Sequence, residues 1–313
     1  MSDIIIGSEA LRDGTVTRHE LQHHHRPVFP NIHAPKNRIL TLRDTTVAAW
    51  LWTHRDGVVT GVAASALHGA EWVDAATPIE LIRTTVTRAP CGIVVRNERL
   101  AVDETTIVMG LPVATPARAA FDLGRYQRRG PALARLDALM RAAPFDPEEV
   151  MALTARYAGA RGVARLRSIL PLVDGGAASP QETRLRLMFI DAGLPWPTTQ
   201  IAVVDRCGRH LRTLDMGWED YKVAIEYDGE QHQTSRPQYV KDHWVLPQLA
   251  EMNWNVIQVI KEDHDAEIVN RVCRALRERG WDGQMHTRIP ENASRKPMFE
   301  YTPSGMLFRR EAG

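Results

Sequence analysis

Apolar positions recur at helical spacing through much of the first 170 residues, broken by short runs that alternate at strand spacing. Thr17-Arg-His-Glu20 has the form of a capping box and predicts a short helix to about His24. Val28–His33, hemmed by Pro27, Pro30 and Pro35, predicts a hairpin instead. Asp44 is placed to cap a helix over 45–52, and Thr60 another over 61–68, closed by Gly69. Short β-branched runs at 79–83, 93–97 and 111–114 predict strands. Thr115-Pro116, a cap followed by proline at the first helical position, opens a helix to Arg125. Amphipathic patterns over 132–141, 146–157 and 162–170 complete this half, with Leu133, Leu136, Leu139 and Met140 on one stripe.

Residues 171–178, with Gly175-Gly176-Ala-Ala, read as a linker. Beyond it the pattern predicts a helix from Ser179-Pro180 to Ala192, then strands at 200–205 and 210–215 joined by a turn at Arg206-Cys-Gly-Arg209, and a hairpin of 215–218 with 222–228. Next come a helix over about 238–252 interrupted by Pro247, a strand at 254–260 and an amphipathic helix over 267–279. That order makes an α/β sandwich over 179–281. Residues 282–313 show no periodicity and read as a flexible tail.

Composition sharpens this picture in two places. The 313 residues carry net charge +1, but residues 1–170 hold 21 Lys and Arg against 17 Asp and Glu, whereas 171–281 hold 13 against 17. Arg12, Arg18, Arg26, Lys36, Arg38 and Arg43 crowd the first segment, which reads as a small helix-turn-helix with a wing, and six cations there can grip a DNA backbone. Three isolated cysteines form neither a disulfide framework nor a zinc site. With no membrane-length apolar run and no signal-peptide pattern at the start, the expected location is cytoplasmic.

The acidic excess is concentrated in the hairpin over 215–228. Strand alternation puts Val223, Ile225 and Tyr227 on one face and Ala224, Glu226 and Asp228 on the other. Asp215 on the preceding strand is placed to join the second face. Three converging carboxylates repel unless a cation joins them, and oxygen ligands on a sheet suit Mg²⁺ or Mn²⁺. Asp228 has two readings, a third metal ligand or the opening of the turn at Gly229. His23-His24-His25 diverge at a helix end and read as exposed, and Trp218, Trp244 and Trp254 as core.

Ser179-x-x-Glu182, Ala192-Gly-Leu-Pro195, Asp215, Glu226-Tyr-Asp228-Gly229-x-x-His232, Lys241-Asp242 and Asn253-Trp254-x-Val256-Ile257 together resemble a bacterial group of domains allied to the very-short-patch-repair (Vsr) endonucleases, within the PD-(D/E)XK superfamily. Ala63-Ala64-x-Ala66-Leu67-His68-Gly69 and the run from Gly110 to Leu123 resemble type IV abortive-infection antitoxins, which carry an amino-terminal winged helix. The implied fold is an α+β N-terminal region with a winged-helix-like start, followed by an α/β restriction-endonuclease-like domain.

The first resemblance implies metal ligation by Asp215, Glu226 and Asp228, proton transfer by His232, phosphate contact by Lys241 and catalysis by Glu182, although Glu182 is also the third residue of a capping box at Ser179, which explains it without catalysis. It implies a divalent-metal-dependent DNA endonuclease. Asp228 stands where the superfamily signature has lysine, and His243-Trp244-Val-Leu-Pro247 stands where the group has an arginine-rich helix. The alternative is therefore an antitoxin-like or regulatory DNA-binding protein with a degenerate nuclease fold. DNA is the expected partner of both, and a toxin encoded nearby is the expected partner of the second.

Overall fold

The computed structural model describes residues 4–84, 88–228, 236–284, 299–301 and 307–309. The chain divides into two compact units, 1–170 and 171–313.

The first unit opens with strand β1 (Ile5–Ile6), helix α1 (Gly7–Arg12), helix α2 (Arg18–His24) and the hairpin β2 (His25–Phe29) and β3 (Ile32–Pro35). The small antiparallel sheet has the order β1-β3-β2, with Ile5 opposite His33 and Arg26 opposite Ala34. The predicted capping box starts α2: the Thr17 hydroxyl accepts from the Glu20 amide, and Glu20 Oε2 accepts from the Thr17 amide at 2.7 Å. Helix α3 (Leu42–Trp52) starts earlier than the sequence indicates. Its N-cap is Thr41, and Asp44 is the third residue of a second capping box rather than the cap itself.

Strands β4 (Val58–Thr60), β5 (Ile79–Ile82), β6 (Ile93–Arg96), β7 (Thr105–Val108) and β8 (Leu111–Ala114) form a five-stranded sheet of order β6-β5-β4-β8-β7. Helices α4 (Gly61–Leu67), α5 (Pro116–Tyr126), α6 (Arg129–Ala142), α7 (Pro147–Arg156) and α8 (Val163–Ile169) complete the unit. Helix α5 lies against all four of the others, and nine of its eleven residues are buried. Thr60 does not cap α4 with its side chain; the hydroxyl donates instead to Asp122 on α5, at 2.6 Å.

In the second unit, helix α9 (Pro180–Asp191) precedes strands β9 (Thr198–Val204), β10 (His210–Trp218) and β11 (Val223–Asp228); helix α10 (Arg236–Glu251), strand β12 (Asn255–Ile260) and helix α11 (Asp265–Glu278) follow. The sheet has the order β12-β11-β10-β9, antiparallel except for the parallel β11–β12 pair. Leu185 and Phe189 of α9 and Ile268 and Val272 of α11 pack with Met216, Trp218, Val223 and Ile225. Val245 and Leu249 of α10 pack with Leu214, Ala224 and Trp254 in a second cluster. The sheet is thus filled on both faces, the three-layer arrangement that the element order predicts.

Three details depart from the sequence reading. Within the expected linker, Leu172, Val173 and Ala177 are buried. Trp218 and Trp254 are core residues, but Trp244 is 67% exposed, because α10 turns only its Val245 and Leu249 side inward. Inside the expected tail, Phe299–Tyr301 (β13) pairs antiparallel with Leu307–Arg309 (β14).

Candidate functional site

The carboxylates of the second unit are positioned by an irregularity in β10. Leu214 packs with the α10 cluster and Met216 with the α9–α11 cluster, although a regular strand would show both on one face. Asp215 lies between them, where the ladder pairs Leu214 with Ile201 and Met216 with Thr199. Gln200, between those partners, has φ of 52°. Asp215 therefore turns toward the edge of β11, where its Oδ2 accepts from the Tyr227 amide at 2.8 Å.

Glu226 follows the expected alternation and shares a face with Ala224, but its neighbour there is a residue the sequence reading passed over. Arg212 of β10 donates Nε to Glu226 Oε1 at 2.5 Å and Nη2 to Oε2 at 2.8 Å. Both side chains are largely buried, at 15% and 9% exposure. A forked guanidinium on both oxygens of a shielded carboxylate is a strong pair. The repulsion that the sequence reading relieves with a cation is relieved for Glu226 by an arginine. Asp228, half-buried, ends β11 opposite Ile260.

Glu182 sits in the first turn of α9, and its Oε2 accepts from the Ala178 amide at 2.9 Å and from Gln200 Nε2 at 3.2 Å. The Ser179 hydroxyl accepts from the Glu182 amide, so the helix-start role read from the sequence is present. Through Gln200 this carboxylate is also tied to the irregularity beside Asp215. His232 and the side chain of Lys241 lie outside the described residues. Among the described residues, no group of three or more His, Cys, Asp or Glu is gathered to hold a metal ion. The donors that are described fit a divalent ion poorly, because Arg212 would have to leave Glu226 first.

The cations of the first segment divide into two kinds. Arg38 Nη2 is paired with Asp44 Oδ1 at 2.8 Å and braces the start of α3. Arg26 donates to the Arg38 carbonyl, Lys36 Nζ to the Gln22 carbonyl at 2.8 Å, and Arg12 pairs with its neighbour Asp13. Arg18 and Arg43 stay exposed. Helix α2 has no buried residue, and His23 and His24 lie exposed as read, whereas His25, at the start of β2, is half-buried. Its outer face adds Arg18, His19 and Gln22, with His19 stacked on His23 at a 4.2 Å ring separation.

The densest charge in the first unit is internal. Arg118 and Arg125 on α5 are 0% and 2% exposed. Arg118 Nε donates to Asp122 Oδ2 at 3.1 Å and Nη2 to Glu98 Oε2 at 3.0 Å, while Nη1 reaches Glu104. Arg125 Nη2 donates to Asp122 Oδ1 at 2.7 Å and to Glu98 Oε2 at 2.6 Å. Tyr126 donates to Glu98, and Tyr157 to Glu104 at 2.8 Å. Burial opposes ionisation of Glu98, but bonds from Tyr126 and Arg125 outweigh it and hold the carboxyl below its ordinary range. Burial and the bond to Glu98 push the Tyr126 hydroxyl up to about 12. Three carboxylates around two guanidiniums, with Arg156 pairing Glu104 at the margin, hold the 97–104 loop against α5.

This network falls inside a stretch that matches a protein family. Residues 57–172 match the AbiEi antitoxin C-terminal domain. The match runs from the start of β4 to just beyond α8, about a third of the chain, and leaves out both the α1–α2 segment and the carboxylate patch. It supports the antitoxin resemblance carried by Ala63–Gly69 and Gly110–Leu123. It does not extend to the residues that carry the Vsr resemblance. The uncharacterized proteins MT2308 and Rv2248, from two strains of Mycobacterium tuberculosis, are each 31% identical over 172 residues. The alignments cover 54% of this chain and 63% of each relative, so the chain spans less than two thirds of their length. Among the described residues no helix is long and apolar enough to cross a membrane.

Proposed function

We propose that the chain is an antitoxin-like, regulatory DNA-binding protein whose second unit keeps a nuclease-like fold without turnover. The observation that carries this reading is the match of residues 57–172 to the antitoxin domain. Two features support it. The order β1-α1-α2-β2-β3, with β3 central in its sheet, suits a winged helix, and α2 offers an unburied face with Arg18, His19, Gln22 and His23. A helix presented this way enters a major groove while the hairpin lies along the backbone. Arg18 and Arg43, both exposed, and Lys36, exposed though bonded to the Gln22 carbonyl, can meet phosphate; Arg26 and Arg38, half-buried, also brace the segment's own backbone and α3. Lys241 belongs with the phosphate contacts of the second unit. A toxin encoded nearby, and a cytoplasmic setting, belong to the same proposal.

Equilibrium binding of the full chain to duplex DNA tests it. Binding should weaken steeply with salt, persist in chelator and survive Asp215→Ala. Arg18→Ala and Arg43→Ala should each lower the salt slope by roughly 1. Absence of salt-dependent binding would reject the reading.

A second reading, a Mg²⁺- or Mn²⁺-dependent DNA endonuclease, has one observation in its favour: Asp215 is turned toward β11, onto the amide of Tyr227, the residue between Glu226 and Asp228 in the chain. In it those three carboxylates would hold the ion, which would polarise the scissile phosphate, and His232 and Glu182 would handle protons. Metal-dependent nicking of plasmid DNA, lost in Asp215→Ala, would select this reading over the first.

A further inference from the structure

The Arg212–Glu226 pair has no assigned role, and its placement suggests one. Glu226 is 7% exposed, on a sheet face closed by Ala224, Leu214 and the α10 residues Val245 and Leu249. A carboxylate there needs a compensating positive charge. Arg212 supplies it from the same face of the adjacent strand, two residues before Leu214, with one guanidinium nitrogen on each carboxylate oxygen. The fork takes both carboxylate oxygens, which are the atoms a divalent ion would use. Asp215 is engaged separately, its Oδ2 held by the Tyr227 amide.

We infer that the Arg212 guanidinium is the resident cation of this patch, and that the Asp215–Glu226 pair accepts a divalent metal only when that side chain is removed. The inference rests on the non-hydrolytic reading of the second unit, but it is read out by ion binding. Failure of DNA binding and failure of this inference are therefore separate results. A guanidinium and a dication cannot share Glu226: at a few ångströms their repulsion, even strongly screened, is worth roughly a hundredfold or more in affinity. The arginine thus makes the patch indifferent to Mg²⁺ and Mn²⁺.

Mn²⁺ titration of the full-length protein, followed by the electron paramagnetic resonance of free Mn²⁺, tests this directly. The wild type should bind no ion that Glu226→Gln abolishes. Arg212→Gln should gain one site, at least tenfold tighter than any wild-type binding at the patch, and Arg212→Gln/Glu226→Gln should lose it. Thermal unfolding gives a parallel readout: Mn²⁺ should raise the melting temperature of Arg212→Gln and leave the wild type and the double variant unmoved. Wild-type binding that disappears in Glu226→Gln would overturn the inference, and this comparison needs no Arg212 variant to fold. A folded Arg212→Gln protein indifferent to Mn²⁺ would overturn it equally.

Discussion

Asp122→Ala is the sharpest perturbation of the first unit. The carboxylate is 1% exposed and receives three donors: the Thr60 hydroxyl at 2.6 Å, Arg118 Nε at 3.1 Å and Arg125 Nη2 at 2.7 Å. Removing one member of a buried ion pair costs about 3–5 kcal/mol, mostly because the partner charge stays buried. Here Arg118 keeps Glu98 and Glu104, and Arg125 keeps Glu98 and the Arg161 carbonyl, which argues for the low end, about 3 kcal/mol. For a unit of this size that corresponds to a fall in melting temperature of roughly 6–12 °C. Because the chain has two units, hydrogen exchange at the α5 amides should accompany calorimetry to assign the transition. Asp122→Asn keeps the shape and an acceptor for Thr60 while deleting the charge, so it should fall between alanine and wild type. A shift under about 2 °C for the alanine variant, the scale of an ordinary surface change, would refute the view that this network holds the unit together.

Three further predictions follow from geometry already described. Gly162→Ala should lower stability by about 2 kcal/mol or more, since φ is +86° and a Cβ would sit 2.3 Å from the Arg125 carbonyl; urea denaturation measures it, and an unchanged midpoint contradicts the fit of the α8 start against α5. Glu182→Ala should cost about 1–2 kcal/mol through the lost bonds to the Ala178 amide and Gln200, with the first-turn amides of α9 exchanging faster; unaltered exchange would remove its role at the helix start. The raised Tyr126 makes stability depend on alkaline pH. The unfolded chain loses this proton near 10.0 and the folded one near 12, so the contribution is complete below pH 10 and is lost as pH rises toward 12. Glu98, held below its ordinary 4.5, acts oppositely: its contribution is present above that value and is lost as pH falls below it. Melting temperature against pH should decline on both sides; Tyr126→Phe should remove the alkaline step and, by deleting a bond that holds Glu98 down, shrink the acid one.

What the sequence made legible was local. The box at Thr17–Glu20, the Thr115-Pro116 start and the Ser179 cap are each set within four residues, and each appears in the structure. The three-stranded meander followed from element order and apolar runs, whereas the parallel pairing of the fourth strand is seen only in the structure. The ionic network was not legible, because Glu98 and Glu104 meet Arg118, Arg125, Arg156 and Tyr157 across 14 to 53 residues, and no local rule pairs them. One signal was available: Arg118, Asp122 and Arg125 interrupt an otherwise apolar helix at spacings of four and three, which marks a buried ionic face. Arg212 was missed for a related reason. Strand alternation assigns a face but not a reach, and the irregularity at Asp215 and Gln200 broke the alternation where the carboxylates were being placed. Trp244 was misplaced because helical spacing alone could not say which side of α10 faces the sheet.

The central claim, that this chain holds DNA without cutting it, is tested most directly by one titration. Full-length protein is added to labelled duplex DNA with chelator and then with Mn²⁺, and complex and cleavage are followed together. The account predicts the same salt-sensitive complex in both conditions and intact DNA throughout. Strand scission that requires Mn²⁺ and vanishes in Asp215→Ala would contradict it.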